Sequence, residues 1–209
     1  MDLVWLFKGI LIGISASAPL GPIGVLCVQR TLNKGRLSGF ISGLGAALAD
    51  TVYAIIAGMG LTIIINFIRE QQLYFEIAGI ALLFFLGFKI FYSNPAKQMR
   101  KSRRGESNLF EDFFSVSLLT ISNPMALFLF LAVFAGLGLI KEDLDFYHTF
   151  QIVFGVLLGA AAWWFVLSTI VNKIRYKFRL KRLWWINKIA GAAIVLFGLA
   201  SIIGMLFLD

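Results

Sequence analysis

The sequence predicts an all-α membrane protein with six transmembrane helices. Three observations lead to this fold class: the composition, six long apolar stretches, and the alternation of basic and non-basic segments between those stretches. Hydrophobic residues make up 59% of the 209 residues, charged residues only 14%, and the mean hydropathy is +0.86. A soluble domain carries about 45–50% apolar and about 25% charged residues, so these proportions argue against a water-soluble enzyme.

Each predicted span is long enough to cross a bilayer, which requires about 20 apolar residues that each rise about 1.5 Å. The six spans are residues 5–29, 38–66, 73–92, 113–140, 149–171 and 188–208. We expect the first span to be retained rather than removed as a signal peptide. Its small residues 15–18 are followed directly by Pro19, which makes a poor cleavage site.

The distribution of charge predicts how the spans are oriented. The net charge is +8, and 16 of the 19 Lys and Arg residues lie in or beside the first, third and fifth segments between spans. Cytoplasmic loops retain Lys and Arg, so these segments are predicted to be cytoplasmic and both termini to be outside, in the periplasm. We interpret the basic charge as a topology signal that also contacts anionic membrane lipids, and we expect no nucleic-acid partner.

The chain is predicted to be a single transmembrane domain, residues 1–209, built from two repeats. Repeat one covers residues 1–92, a mobile cytoplasmic linker covers 93–112, and repeat two covers 113–209. Three spans in each half give the halves opposite orientations in the membrane. The domain is therefore predicted to be an inverted repeat.

Matching features occur in the same order in both halves. They are the proline breaks at 19–22 and 122–124, Gly-Ala-Ala at 45–47 and 159–161, and Ile-Ala-Gly at 77–79 and 189–191. Inverted repeats with Gly/Pro breaks at corresponding positions are typical of secondary transporters whose binding site lies near the membrane midplane. The alternative for each break is an ordinary proline kink in a packed bundle.

Asp50 is the acidic residue that lies deepest in a predicted span. It is about 18 Å from the start of the second span, close to the midplane of a hydrocarbon core roughly 30 Å thick. A carboxylate at this depth costs several kcal/mol unless it is paired, hydrated or protonated, so we assign Asp50 to substrate binding and proton coupling. The alternative is an Asp that hydrogen-bonds across helices and only fixes their packing.

The two proline breaks lie at a depth similar to that of Asp50, so all three are predicted to converge on one site. Proline frees backbone carbonyl groups, which at membrane depth are tolerated only against protein or a wet cavity. The residues assigned to substrate binding or coupling are Asp50, Gly21, Pro22, Pro19, Asn123, Pro124 and Tyr53. Tyr53 is included because it lies three residues after Asp50 on the same helical face and can bond the carboxylate or a ligand.

Polar and aromatic residues at similar depth can line the cavity. They are Ser17, Thr120, Ser122, Trp163 and Trp164. The hydroxyl groups can equally bond carbonyl groups of their own helices, and the two tryptophans can equally be packing residues. We therefore treat these five positions as possible lining only.

Neither a cofactor nor a metal site is expected. Cys27 is the one cysteine, so an internal disulfide is impossible. A divalent cation would need several carboxylates, and Asp50 is alone at mid-depth. The spans also supply no partners for acid–base or nucleophilic catalysis, so the chain is not expected to be an enzyme.

A set of motifs spread over the first four spans carries a family resemblance. The motifs are Gly21-Pro22-Ile23-Gly24-Val25, Gln29-Arg30, Gly35-Arg36, Gly39, Gly43, Gly45, Asp50, Gly79, Gly87 and Ser122-Asn123-Pro124-Met125-Ala126-Leu127-Phe128. Together they resemble the lysine exporter (LysE/RhtB) family, and the resemblance covers nearly the whole chain. It implies a six-helix exporter of amino acids or similar small metabolites in the bacterial inner membrane, driven by proton exchange.

The resemblance also implies which residues form the transport site: Gly21, Pro22, Asp50, Asn123 and Pro124. Two departures remove polar groups that family members commonly have. Ile23 stands where an Asn is common, and Leu82 stands where a Tyr is common. Substrates of better-known members therefore do not carry over to this chain.

The sequence thus predicts export of an amino acid or a similar small zwitterion by proton antiport. A cationic substrate would be expected to need a second buried acid, which weakly favours neutral amino acids. The alternatives are a cation or metal exporter of a related fold, a membrane-bound enzyme, and a scaffold. The expected partners are a small-molecule substrate, protons and membrane lipids, and glycine-rich helix faces leave room for a homodimer.

Overall fold

The computed structural model describes residues 3–18, 21–59, 67–68, 70–97, 108–136, 146–175 and 180–207. Within these ranges the chain forms helices and no strands, which confirms the all-α prediction for this part of the chain. The longer helices are α1 (Leu3–Ser17), α2 (Pro22–Lys34), α3 (Arg36–Gly58), α4 (Gln72–Phe91), α5 (Leu109–Ile121), α6 (Pro124–Gly136), α7 (Phe146–Arg175) and α8 (Leu180–Phe207).

Four helices are each long and apolar enough to cross a membrane: α3, α4, and most of α7 and α8. Two further pairs reach that length only when each pair is taken together. These pairs are α1 with α2, bent by 83°, and α5 with α6, bent by 66°. The protein is therefore a membrane protein with four candidate spans, or six when each bent pair counts as one span.

Both bends lie at the predicted proline breaks. Pro22 is the first residue of α2 and Pro124 is the first residue of α6. At a first helical position the missing N–H of proline leaves no helical hydrogen bond unmade, so each proline starts a new helix instead of distorting one. Pro19, the other proline of the first break, lies outside the described residues.

The first segment between spans is shorter than the sequence predicts. Helix α2 continues to Lys34 and α3 begins at Arg36, so Gly35 alone joins the two helices. Gly35 has a φ of 110°, a left-handed conformation that side chains other than glycine rarely adopt. Arg30 and Lys34, which we interpreted as loop charges, therefore lie on a helix.

The predicted linker 93–112 ends in helical structure. Residues 98–107 lie outside the described ranges, but α5 already begins at Leu109. The side chain of Asn108 accepts a hydrogen bond of 3.1 Å from the N–H of Glu111 and so caps the start of α5. As a result Asp112 belongs to the first turn of a helix and not to a loop.

Helices α1 and α7 lie parallel and in close contact through glycine. A Cβ atom on Gly9 would lie 2.9 Å from the Cα of Gly155, and a Cβ on Gly13 would lie 2.9 Å from the backbone nitrogen of Ala160. Small residues four apart allow two helix backbones to approach this closely. Helices α3 and α5 are likewise parallel, because Ser38 contacts Asp112 near their starts and Tyr53 contacts Ile121 near their ends.

Two other helix pairs are antiparallel. In α3 and α7, Gly43 lies against Trp164 while Gly58 lies against Thr149. In α4 and α8, Gly87 lies against Gly191, and the two helices again run in opposite directions.

The same pairings are obtained when each helix of α1–α4 is replaced by its counterpart in α5–α8, and the reverse. The pair of α1 and α7 becomes the pair of α5 and α3, and both are parallel. The pairs of α3 with α7 and of α4 with α8 each map onto themselves, and both are antiparallel. Helix α3 thus runs opposite to α7, and α4 runs opposite to α8.

Among the described residues the core forms three apolar clusters. Two of them include residues of α3 on either side of Asp50, and the third joins Leu32, Val171 and Leu183 of α2, α7 and α8. The first apolar cluster joins α2 and α5 with the first half of α3, the second half of α7, α4 and α8. The second apolar cluster joins α6 and α1 with the second half of α3 and the first half of α7. On α3 the first cluster ends at Ala47 and the second begins at Tyr53, and Asp50 lies between them.

Candidate functional site

Asp50 lies in the middle of α3 and is buried, with 8% of its surface exposed. It is 14 residues after Arg36, about 21 Å along a helix of 23 residues. Asp50 thus lies near the middle of α3, and its depth in the membrane stays a prediction. The polar side chain separates the two apolar clusters, so it marks the level at which apolar packing of the core is interrupted.

The first break reaches Asp50 through Ser17, at the end of α1. The hydroxyl group of Ser17 donates to Oδ2 of Asp50 at 3.4 Å, which is long for an O–H···O hydrogen bond. Among the described residues, Asp50 forms no ion pair. A buried carboxylate with one weak hydroxyl partner is suited to accept a proton or a cationic ligand.

The second break reaches the same part of α3 through Tyr53. The hydroxyl group of Tyr53 donates to the carbonyl oxygen of Ile121, the last residue of α5, at 2.6 Å. It also lies 3.5 Å from the carbonyl oxygens of Thr120 and Asn123. Tyr53 therefore bonds the freed carbonyl groups of the break, whereas the sequence suggested the Asp50 carboxylate or a ligand as its partner.

The two breaks thus contact one turn of α3, from Asp50 to Tyr53. Ser17 contacts Asp50 and the second break contacts Tyr53, whereas the convergence of both breaks on one substrate site stays a prediction. Gly21 is extended, with φ of −82° and ψ of −163°, and Pro22 begins α2 directly after it. Pro124 is buried, whereas Asn123 is exposed between α5 and α6.

The polar residues predicted as cavity lining behave differently from one another. Ser17 contacts Asp50 directly, as described above. Thr120 donates to the carbonyl oxygen of Val116 in its own helix at 2.9 Å. Ser122 is the C-cap that follows α5, and its carbonyl oxygen would lie 2.9 Å from a Cβ on Gly79 of α4. The alternative interpretation, a hydroxyl bonded within its own helix, therefore applies to Thr120.

The two mid-span tryptophans pack in the first apolar cluster. Trp164 is buried against Gly43, two turns before Asp50 on the same face of α3, and Trp163 is partly buried beside the same cluster. The indole N–H groups of both tryptophans lack an acceptor within the described part of the chain. Both tryptophan side chains therefore serve as packing residues of the first apolar cluster.

The structure also reveals a buried charged cluster that the sequence analysis missed. Asp112 is fully buried and forms ion pairs with Lys34 at 2.6 Å and with Nε of Arg30 at 3.3 Å. The hydroxyl of Ser38 donates to the second carboxylate oxygen of Asp112 at 2.5 Å. We call Arg30, Lys34, Ser38, Ser42, Asp112 and Ser115 the Asp112 cluster.

Arg30 connects three helices within the Asp112 cluster. Its guanidinium group donates to the carbonyl oxygen of Asp112 and to the hydroxyl of Ser115, both at 2.6 Å, and to the hydroxyl of Ser42 at 2.9 Å. Ordinary loop charges would not be buried. The signal in the sequence is the spacing of Arg30 and Lys34 by four residues just before a glycine, which places both cations on one face at a helix end.

A second polar network joins α2 to α8. Asn187 is fully buried, and its side-chain oxygen accepts hydrogen bonds from Asn33 at 2.5 Å and from Gln29 at 3.2 Å. The side-chain nitrogen of Asn187 donates to Ser93 at 2.9 Å.

As for metals, no three His, Cys, Asp or Glu side chains among the described residues are grouped as a metal site.

Comparison with known proteins relates the whole arrangement to membrane transport. The model of the LysE type translocator family matches residues 14–204. The "Putative amino acid efflux protein YcgF" of Bacillus subtilis (strain 168) is 24% identical over 194 residues, which cover 90% of each chain. The "Uncharacterized membrane protein YahN" of Escherichia coli (strain K12) is 30% identical over 109 residues, 52% of this chain and 49% of that protein. No solved structure matches the chain significantly.

The match to the family model includes both proline breaks, Asp50 and the Asp112 cluster. It extends from the second half of α1 almost to the end of α8, well beyond the spans that carry the motifs found in the sequence. The resemblance to the lysine exporter family is thereby confirmed. The chain belongs to the LysE type translocator family.

Proposed function

We propose that this protein exports an amino acid or a similar small zwitterionic metabolite across the bacterial inner membrane by proton antiport. Membership of a translocator family and the name of the YcgF relative, which describes amino acid efflux, support an exporter. The observation that carries the proposal is Asp50, buried at mid-helix between the two breaks with Ser17 as its weak partner.

Asp50 supplies the coupling in this mechanism. A substrate ammonium group and a proton both neutralise a buried carboxylate, so they compete for Asp50 and cannot occupy it together. Carbonyl groups freed at the breaks would bind the remaining ammonium hydrogens. The N-terminus of α6, which follows Asn123 and Pro124, would face the substrate carboxylate, because helix N-termini favour negative charge.

In an antiporter the proton gradient sets the direction of transport, and the proposed topology specifies which end of the protein faces the periplasm. We infer six spans in two inverted repeats, with both termini in the periplasm. The antiparallel pairs of equivalent helices, α3 with α7 and α4 with α8, support the inversion. A proton that enters from the periplasm and binds Asp50 would release substrate to that side, which gives export.

A transport assay with purified protein in proteoliposomes tests this function. Liposomes loaded with neutral amino acids should release them when a proton gradient is imposed, and Asp50→Asn should lower this release by at least about tenfold, since the amide binds neither a proton nor an ammonium group strongly. Glu76→Gln is the matched control, because it removes a carboxylate that is bonded by Gln72 on α4, away from Asp50.

Normal proton-coupled release by Asp50→Asn would overturn the mechanism. Liposomes loaded with lysine or with divalent metal ions separate the other possible substrates. Release of metal but not of amino acids would favour the cation exporter.

A further inference from the structure

Helices α2 and α5 are the halves of the two broken spans that lie on the same side of Asp50. Helix α2 runs from Pro22 at the first break to Lys34, and α5 runs from Leu109 to the second break. The Asp112 cluster joins these two helices at the ends that are farthest from the breaks. It therefore links repeat one to repeat two at one end of the molecule.

The space between this end and Asp50 is filled by the first apolar cluster. Leu26 and Cys27 of α2 and Val116 and Leu119 of α5 are all buried in it. A solute that passes between α2 and α5 would have to separate these side chains and then the Asp112 cluster. Both layers close the same route to Asp50.

We propose that the Asp112 cluster is a reversible lock that closes the cytoplasmic route to Asp50 and opens in each transport cycle. This inference rests on the proposed transport function and on the orientation that places the basic segments in the cytoplasm. In the open state α2 and α5 move apart, and the side chains of the first apolar cluster that fill the space between them separate. In the closed state, described here, Arg30 holds α2, α3 and α5 together.

The composition of the cluster suits a lock that must open. Burying an ion pair removes both charges from water, and this cost offsets most of their attraction, so a buried pair adds little net stability. When the lock opens, the cytoplasm hydrates Arg30, Lys34 and Asp112 again. The bonding geometry nevertheless specifies one closed arrangement, because Asp112 accepts from three side chains on two other helices.

The opposite end of the molecule is closed in a different way. There the equivalent helices α1, α6 and the start of α7 meet in the second apolar cluster, with Ile12, Leu127, Phe130, Phe134 and Ile152 buried. Among the residues that the structure describes, these side chains are apolar and none of the ion pairs lies at this end, whereas the Asp112 cluster is ionic. Substitutions that remove charge should therefore change the balance between the two ends in favour of opening at the Asp112 cluster.

Cys27 provides a native reporter of this opening. It is the one cysteine of the sequence, it is buried, and it lies in the first apolar cluster one turn before Arg30. In inside-out membrane vesicles, a membrane-impermeant maleimide should react slowly with Cys27 of the wild-type protein. The rate of this reaction measures how often the cytoplasmic side opens, and it requires no substrate.

Two substitutions weaken the lock to different degrees. Asp112→Asn removes the anion and should raise the labelling rate of Cys27 about tenfold or more. Ser38→Ala removes one donor to Asp112 while both ion pairs remain, and it should raise the rate about two- to fivefold. Each variant is compared with wild type only after size-exclusion chromatography and a thermal melt show folded protein.

Glu111→Gln is the matched control on the neighbouring residue. It breaks the ion pair of Glu111 with Lys89, whose side chains are 42% and 51% exposed. An exposed pair contributes little, so labelling should stay at the wild-type rate. Equal acceleration in this control, or a wild-type rate in folded Ser38→Ala and Asp112→Asn, would overturn the proposal. If Asp112→Asn does not fold, Ser38→Ala alone decides.

A second reporter separates opening of one side from general loosening. Ile12→Cys, in a Cys27→Ala background, places a thiol in the second apolar cluster at the other end. With Ser38→Ala added, labelling of this thiol from the periplasmic face should stay unchanged or fall, because the two sides open alternately. A rise at both reporters would show loosening and contradict a lock. Neither labelling rate depends on transport, so a failed transport assay leaves this test intact.

Discussion

At the scale of single residues, Asp50 and Asp112 are both buried, but the sequence indicates burial only for Asp50. Asp50 could be predicted from the sequence because it is surrounded by apolar residues on both sides along the chain. Asp112 could not, because it follows a polar segment and is buried only by contacts with α2 and α3. The residues next to a position in the sequence indicate where it lies along its own helix. They do not indicate which side chains from distant parts of the chain will cover it.

The hydroxyl group of Tyr53 gives a prediction at this scale. Tyr53→Phe removes the 2.6 Å hydrogen bond to the carbonyl oxygen of Ile121 and leaves that oxygen without this donor. We expect a loss of about 0.5–1.5 kcal/mol in the free energy of unfolding, the net contribution of a typical intramolecular hydrogen bond. Thermal melts in detergent measure it.

The control for this prediction is Tyr92→Phe, since Tyr92 is 76% exposed. Its melting temperature should equal that of the wild type. A Tyr53→Phe protein that also melts at the wild-type temperature would mean that the bond to Ile121 does not stabilise the second break.

At the scale of helices, proline and glycine determine where elements begin and how closely they pack. Both breaks could be located from Pro22 and Pro124, since a proline is compatible with a helix only near its start. The junction at Gly35 could not, because the charges of Arg30, Lys34 and Arg36 suggested a loop. A glycine with positive φ joins two helices without any loop, and only the backbone geometry reveals it.

A pair of identical substitutions tests the glycine contact between α1 and α7. A Cβ at Gly155 would lie 2.9 Å from the Cα of Gly9, which forces the helices apart. We expect Gly155→Ala to lower the free energy of unfolding by about 1–3 kcal/mol, as for an overpacked core. In Gly198→Ala the nearest atom is 3.4 Å from the new Cβ, so this variant should melt at or above the wild-type temperature. Equal stability of the two variants would argue against the close contact.

At the scale of the whole molecule, the pairing of helices relates the two halves. The tripeptides matched in the sequence agree with this pairing: Gly45 of α3 lies against the backbone of Phe113 in α5, and Gly159 of α7 lies against the backbone of Ile10 in α1. Each glycine thus packs on the first helix of the opposite half. Sequence could indicate the repeat, but the partner of each helix depends on packing between residues far apart in the chain.

The proposed inverted arrangement predicts on which face of the membrane the end of α4 and the start of α7 lie. Basic segments stay in the cytoplasm, so the end of α4 and the start of α7 should lie on opposite faces. In a Cys27→Ala background, Asn94→Cys should react with a membrane-impermeant maleimide only in inside-out vesicles, and Tyr147→Cys only in right-side-out vesicles. Both positions are exposed, so each thiol is accessible once it faces the reagent.

Reaction of both thiols from one face would contradict the predicted topology, and with it the inversion of the two halves. Reaction with the faces reversed would keep the inversion but place the Asp112 cluster in the periplasm. The positive-inside rule opposes that outcome, because residues 97–104, after Asn94, and residues 173–182, at and after the end of α7, carry 11 of the 19 Lys and Arg residues. The same two thiols therefore test the repeat and the orientation of the protein in the membrane independently of any transported substrate.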